Sequence, residues 1–488
     1  QAGIADNVIP GEAHATVNFR YAPDRSPDEA EAALRELLPD DVEVEIDGDT
    51  RPASWGWRDG SPRSCFDNRR VWKRRCRSRR GEIPMPVAWS SFYAERTAGM
   101  YSSEIRDILH LTEKPDIISL AGGLPAPELF PVEEFRRAFE WVLSHEGATA
   151  LQYGPTEGYV PLKQVLAERM AKFGIQSSPD NILITSGSQQ ALDLLGKLFL
   201  NPGDAIVVEN PSYLGALQAF NCYQARYVIV PMDENGMRTD VLDEILASQR
   251  VKFVYALPNF QNPSGRTMSL ERRQHLVRIA EKYGVPIVED DPYGELRYEG
   301  EHLPSLKSLD RSGNVIYLGT FSKILAPGFR LGWVVAPPEV FRWLVLAKQP
   351  ADLHTCTASQ RAFYHVAKDG FLDRHVARIR AVYHERRDTM LRAMERHFPP
   401  EVRWTKAEGG LFVWVMLPEG VDSRELLVEA VQEKVAFVPG SAFHADGSGH
   451  NTMRLNFSNS TPAQLEEAIE RLGRVIRRFL GRVAVPSP

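Results

Sequence analysis

Cysteine is scarce in this sequence: Cys65, Cys76, Cys222 and Cys356 are the only four in 488 residues. Spread so thinly, they form no disulfide framework, and no Cys-x-x-Cys pair offers a zinc site. They read as incidental thiols of a reduced, cytoplasmic protein. Long apolar runs are missing too. None reaches the ~18 residues that a membrane span needs, and the first ten residues lack the basic-then-apolar pattern of a signal peptide. Nor is there an excess of positive charge. The 58 Lys+Arg against 64 Asp+Glu leave a net −6, which argues against a general nucleic-acid binder. What is present is a globular composition, 43% hydrophobic and 25% charged, with apolar mass for a large core. At about 150 residues per domain, the length predicts roughly three domains.

Charge is uneven along the chain. From Arg51 to Arg80 there are eleven Lys/Arg and only two acids, Asp59 and Asp67. This stretch carries Trp55, Trp57 and Trp72 without a period of 2 or 3.6, and no DNA-binding motif surrounds it. It reads as an irregular basic linker covering 51–88 rather than as a nucleic-acid arm. Ahead of it, residues 1–50 show strand–helix–strand patterning. His14 to Arg20 alternates, Ser26-Pro27 starts a helix, and Val42 to Asp47 alternates again. The stretch Ile4 to Arg20 resembles the lid domain of M20-type metallopeptidases, succinyl-diaminopimelate desuccinylases in particular. The metal ligands of such a peptidase are not expected here, because His14 is the only histidine before His110.

Beyond the linker the pattern is α/β. Seven short, β-branched-rich runs alternate with helical stretches: Asn181–Thr185, Ala205–Glu209, Tyr227–Val230, Phe253–Ala256, Pro286–Asp290, Val315–Gly319 and Gly332–Val335. Such runs suit a mostly parallel sheet covered on both faces. After Phe371 the pattern turns to α+β. A long helix over about 372–397 precedes strands near Val402, at Phe412–Met416 and at Met453–Phe457. The last helix starts at Thr461-Pro462 and buries Leu465, Ile469, Leu472, Ile476 and Phe479.

Chemistry gathers where these strands end. Lys323 follows one, with Thr320, Ser322 and Arg330 within a few residues. Hydroxyls with an arginine suit an anion such as phosphate. The lysine itself is either a counter-charge or a nucleophile, and the absence of GxxxxGK[ST] weakens the nucleotide-hydrolase reading. Thr185-Ser-Gly-Ser188-Gln189 opens a helix whose free N–H groups cradle an anion. Asn262-Pro-Ser-Gly265 is a turn after a strand. Asp290, followed by Tyr293, ends another strand at the edge where open α/β sheets bind ligands.

In this order and spacing the motifs resemble those of fold-type I, pyridoxal-phosphate-dependent aminotransferases of class I/II. The likeness runs from about Trp89 to the C-terminus. It is greatest to 2-aminoadipate aminotransferases of lysine biosynthesis and to kynurenine/aminoadipate aminotransferases. It is carried by Ala121-Gly-Gly123-Leu-Pro-Ala-Pro, Gln152-Tyr153-Gly-Pro-Thr-Glu-Gly, Gly187-Ser-Gln-Gln, Ala347-Lys-Gln-Pro-Ala-Asp and Lys434-Val-Ala-Phe-Val-Pro-Gly440. The resemblance implies an arm and part of a small domain over 89–140, a large cofactor domain over 141–370 and a C-terminal small domain over 371–488. It implies pyridoxal 5'-phosphate held covalently by Lys323, with Asp290 on the ring nitrogen and Tyr213 stacked on the ring. Asn262 and Tyr293 would meet the phenolic oxygen. Ser188, Gln189, Thr320, Ser322 and Arg330 would form the phosphate cup. Tyr153 would reach the cofactor of a neighbouring subunit in a homodimer. Arg454 would take the substrate α-carboxylate, beside Asn262 and Gly123. Arg106, on a short helix before Gly122-Gly123, would meet a distal carboxylate.

The activity implied is transamination of 2-aminoadipate, glutamate, leucine or aromatic amino acids, with 2-oxoglutarate as acceptor, in amino-acid metabolism. No metal, nucleic-acid or membrane partner is expected. Two alternatives stay open at this point. One is a regulator with an aminotransferase-like domain behind a winged helix, which the strand–helix–strand pattern of residues 1–50 disfavours. The other is a different reaction on the same cofactor, such as β-elimination, which motifs shared among such enzymes do not separate.

Overall fold

The computed structural model describes residues 87, 89–100 and 116–483. The readings for residues 1–50, for the basic stretch 51–80 and for the helix carrying Arg106 lie outside them. The largest element is an eight-stranded sheet. Its strands, numbered with the others in chain order, follow β1 (Ile118–Ser119). They are β2 (Ile182–Thr185), β3 (Ala205–Asn210), β4 (Arg226–Asp233), β5 (Gly236–Met237), β6 (Val254–Ala256), β7 (Ile287–Asp290), β8 (Val315–Thr320) and β9 (Gly332–Val335). Their spatial order is β2-β9-β8-β7-β6-β3-β4-β5. All seven runs expected from sequence are strands. The eighth, β5, is a two-residue hairpin return on β4, too short to leave a periodic signal. Only β5 and β9 run against the others.

β7 and β8 are buried at every position. This is the environment that selects non-alternating Val, Ile and Leu. One face packs Leu192, Leu195, Ile206, Val208, Tyr255 and Val288 against helices. The other packs Val207, Val254, Ile287 and Val315. Helices flank the sheet, among them α1 (Ser188–Phe199) and α2 (Leu214–Asn221), each starting where a strand ends.

The C-terminal part contributes α3 (Phe371–His397), β10 (Arg403–Trp404), β11 (Phe412–Met416), β12 (Val435–Ala436), β13 (Val438–Pro439), β14 (Thr452–Asn456) and α4 (Pro462–Val483). A four-stranded antiparallel sheet of order β10-β11-β14-β13 lies here. β12 pairs instead with β1, near the start of the described chain. The apolar face expected for α4 is buried throughout at Leu465, Ile469, Leu472, Ile476 and Phe479. Among the described residues no helix is long and apolar enough to cross a membrane.

Candidate active site

The parallel strands deliver their following residues to one edge of the sheet. At the end of β2, Gly187 adopts φ +77° and α1 begins with Ser188. A β-carbon on Gly187 would lie 2.5 Å from an Arg330 guanidinium nitrogen. Glycine is thus required for Arg330 to lie over the N-terminus of α1. Arg330 is exposed and makes no ion pair among the described residues. Positive charge and free helix N–H groups therefore point to one place, where an anion is favoured. The Gln189 side chain is committed elsewhere, donating to the Gly215 carbonyl at 2.8 Å. Only its backbone is available to the cup.

The turn after β8 is held by Thr320. Its hydroxyl donates to the Leu331 carbonyl (3.0 Å), accepts from the Ser322 N–H (3.1 Å) and shares a hydrogen bond with the Ser322 hydroxyl (2.9 Å). Thr320 therefore shapes the loop from which Lys323 projects. Lys323 Nζ donates to the Gly123 carbonyl at 2.7 Å. Burial, with Arg454 and Arg330 nearby, pushes its pKa down to about 8. A lysine in such surroundings is partly neutral, and so nucleophilic, near neutral pH.

Asp290 closes β7. Its Oδ2 accepts from the Tyr255 hydroxyl at 2.8 Å, and its Oδ1 is buried without a partner. Burial drives its pKa up to about 7, Asp291 adds to the rise and the Tyr255 hydrogen bond opposes it. Tyr213 precedes α2. A β-carbon on Gly215 would come within 2.5 Å of its ring, so Gly215 makes room for the aromatic. Burial first, and then the Asp290 charge, raise the Tyr213 hydroxyl to about 12. Tyr293 is buried edge-on to Phe412, with ring centroids 5.9 Å apart. Its hydroxyl is also raised by burial and faces Asn262.

Arg454 reaches the same place from β14. It is 2% exposed, yet has no carboxylate partner among the described residues. It donates to Asn262 Oδ1 (2.8 Å) and to the Ala121 carbonyl (2.7 Å), and its Nε is unmet. The guanidinium lies over the rings of Phe412 and Phe443, 4.3 and 4.9 Å from their centroids, which partly compensates for lost hydration. Burial lowers its pKa to about 10. The segment Ala121–Gly123 thus ties Lys323 and Arg454 together through two carbonyls. Gly123 packs closely there, since a β-carbon would sit 3.0 Å from the Phe412 ring.

Lys323, Asp290, Tyr213, Asn262, Tyr293, Arg454 and Gly123 are therefore joined through direct contacts and near charges, with Ser188, Thr320, Ser322 and Arg330 around the adjacent cup. Tyr153 is not part of this set. It is 77% exposed and packs edge-on to His354. Arg106 lies outside the described residues. Sequence reasoning missed Tyr255, Phe412, Phe443 and the Ala121 carbonyl. It also missed the ion pair of the buried Lys348 with the half-buried Asp352, which accepts from Ser186 and Gln190 beside the cup. The Ala347-Lys-Gln-Pro-Ala-Asp motif was the available signal for that pair.

Comparison with known proteins shows which family and relatives the chain matches. The model of the family "Aminotransferase class I and II" matches residues 115–472. That of "Peptidase dimerisation domain" matches residues 1–44. An aromatic-amino-acid aminotransferase of Thermococcus litoralis is 50% identical over 395 residues, covering 80% of this chain and 95% of its own. A 2-aminoadipate transaminase of Thermus thermophilus is 45% identical over 401 residues, covering 82% and 100%. Among solved structures, an alpha-aminoadipate aminotransferase of Thermus thermophilus, complexed with N-(5'-phosphopyridoxyl)-L-leucine, aligns with TM-score 0.77 at 43% identity. That alignment covers 81% of this chain and 100% of the other.

Proposed function

The chain belongs to the class I and II aminotransferases, and on that premise we propose how its own residues carry amino transfer, and for which substrates. Its cofactor is pyridoxal 5'-phosphate, as in the relatives it matches. The residues present fit that group. A buried Asp290 oxygen lacks a donor, the Gly187 notch admits Arg330 over a helix N-terminus, and the Lys323 amine, whose pKa is depressed, lies near Arg330 and Arg454. Asp290 would meet the ring nitrogen and Tyr213 the ring face. Asn262 and Tyr293 would meet the phenolic oxygen. Ser188, the Gln189 backbone, Ser322 and Arg330 would hold the phosphate, with Thr320 shaping the turn. When bound, the cofactor supplies an electron sink for the pair released at the substrate α-carbon.

The rest of the chemistry is the protein's. Arg454 forks onto the α-carboxylate, and this charge-assisted pair replaces the anion the guanidinium now lacks. That contact fixes the α-carbon beside Lys323. Lys323 Nζ takes the α-proton and later returns one, a role suited by a pKa near working pH. The observation that carries the reading is the unpaired guanidinium of Arg454 tied to the Lys323 amine through the Ala121–Gly123 backbone.

For substrates, the reading is 2-aminoadipate and glutamate, with leucine and aromatic amino acids also accepted and 2-oxoglutarate as acceptor. The names of the relatives support it, and so does the leucine adduct of one of them. Arg106 is assigned to the distal carboxylate by resemblance. Tyr153 is assigned to a neighbouring subunit's phosphate in a homodimer, in keeping with its exposure. A cytoplasmic location goes with the free thiols of Cys222 and Cys356.

The test is steady-state transfer from 2-aminoadipate to 2-oxoglutarate. Stoichiometric glutamate is expected, whereas ammonia and a 2-oxo acid released from a donor with a leaving group on its β-carbon, such as serine, would point to elimination. Arg106→Ala should lower kcat/KM for 2-aminoadipate by about 10- to 100-fold and leave leucine nearly unchanged. Equal losses for both substrates would remove Arg106 from recognition.

A further inference from the structure

Tyr255 lies in the apolar run of β6 and is fully buried. β6 and β7 are parallel neighbours, with Tyr255 opposite Val288. Asp290, two residues further along β7, points to the same face as Val288, so Tyr255 and Asp290 are diagonal neighbours. The Tyr255 ring is wedged edge-on against Phe220, with centroids 5.8 Å apart. Its hydroxyl makes one hydrogen bond among the described residues, to Asp290 Oδ2 at 2.8 Å. We propose that Tyr255 is a positioning residue for the transfer reaction: by occupying Oδ2 from a rigid, buried ring, it turns the empty Oδ1 toward the cofactor's ring nitrogen and keeps the Asp290 carboxylate charged.

The surroundings of Asp290 explain why such a group is needed. Tyr255, Tyr213, Tyr293 and the neighbouring Asp291 are the titratable groups that act on it or feel its charge. No lysine or arginine forms an ion pair with it among the described residues. Burial therefore favours the protonated acid, and Asp291 pushes the same way. A protonated Asp290 would offer the ring nitrogen no negative charge. The Tyr255 hydroxyl is the one contact that favours the charged form. Burial holds the pKa of Tyr255 well above its ordinary value, so the hydroxyl remains a donor across the working range. Hydrogen bonds from neutral donors to charged groups are strong enough to move a buried carboxyl appreciably.

The inference rests on the placement of Asp290 at the ring nitrogen and not on the choice of substrate. The test uses full-length protein reconstituted with pyridoxal 5'-phosphate or with an analogue that has carbon in place of the ring nitrogen. Tyr255→Phe should weaken the natural cofactor by roughly 10- to 100-fold. It should change affinity for the analogue by less than about threefold. It should also move the acid limb of kcat/KM to higher pH, because Asp290 without its donor takes up a proton more readily. Equal weakening of both cofactors would make Tyr255 merely structural and overturn the proposal, as would no weakening of either. Asp290→Asn separates the two layers. If it keeps the preference for the natural cofactor, the placement of Asp290 fails. If it abolishes that preference while Tyr255→Phe retains it, the role of Tyr255 fails. Should the phenylalanine variant not fold, ortho-fluorotyrosine at position 255 keeps the ring and strengthens the donor. The acid limb should then move to lower pH, and an unmoved limb overturns the proposal.

Discussion

Glu289 and Asp290 are consecutive buried carboxyls on β7 that face opposite sides of the sheet, and their surroundings treat them differently. On one side, Glu289 accepts the backbone N–H groups of Leu306 (2.8 Å) and Lys307 (2.7 Å), so both its oxygens are occupied. On the other, Asp290 has one oxygen held by Tyr255 and one left empty. Burial raises both to about 7, so the size of the shift does not distinguish them. What distinguishes them is completeness. Glu289, with both oxygens met, ties a helix start to the sheet, whereas Asp290 ends its strand at the site with one oxygen free for a ligand group; an empty oxygen alone is not sufficient, since Glu209 Oε1 is also buried without a partner. Two buried arginines, each with an unmet Nε, differ instead in charge pairing. Arg387 pairs with Glu299 (2.5 Å) and Asp388 (2.7 Å), while Arg454 has two neutral acceptors and no anion.

The sharpest way to break this contrast is to neutralise each carboxyl in turn. Asp290→Asn should lower kcat by roughly 10²- to 10³-fold, as losing a preorganised electrostatic partner does elsewhere, with thermal unfolding little changed. Glu289→Gln should leave kcat/KM within about threefold and lower Tm by a few degrees, because a backbone N–H at a helix start loses its acceptor. If both variants lose activity equally, completeness of satisfaction is not the discriminator. The arginines give the next largest effect. Arg454→Ala should cut kcat/KM by about two orders of magnitude, the consequence of a buried carboxylate losing its partner. Arg387→Ala should cost about 1–3 kcal/mol of stability, its partners being partly solvated, and leave kcat/KM within a few-fold.

Two pH dependences are smaller and follow from the directions of the shifts. Both folded-state carboxyl pKa values lie above the ordinary 4.5 and 3.8. The folded cofactor-free protein therefore holds these protons more tightly than the unfolded chain does. Stability from this source is full below about pH 4 and is lost as pH rises through about 7. Tm of the cofactor-free protein should fall across that window, and the cofactor should flatten the part due to Asp290 but not the part due to Glu289. Lys323 gives the second dependence. The rate of cofactor capture should rise with pH and level off near 8, whereas an ordinary lysine would keep rising toward about 10.4.

Much of this architecture was legible in the sequence because it is carried by residue type and period. The seven β-branched runs all became strands. The motifs after them placed Lys323, Asp290 and Asn262 at one sheet edge, because parallel strands end on the same side, and the family resemblance brought in Arg454 from the separate antiparallel sheet. What escaped was of four physical kinds. Tyr255 sits inside an apolar run, where an aromatic reads as core and its hydroxyl is silent. The Ala121 and Gly123 carbonyls are backbone groups, which no residue type announces. β5, β12 and β13 are two residues long, and β12 finds its partner β1 only through the tertiary fold. The Lys348–Asp352 pair at (i, i+4) was readable as a helix pair, but its connection to Ser186 beside the cup exists only in three dimensions.

The central claim is that Lys323 is the amine that holds the cofactor and moves the proton. It is tested most directly by reducing the full-length holoprotein with borohydride and locating the modified lysine by peptide mass mapping. A phosphopyridoxyl group on the peptide containing Lys323, and its loss in Lys323→Ala together with the visible absorption band, is the expected result. The same group found on another lysine, such as the buried Lys348, or retained after Lys323→Ala, would contradict the account.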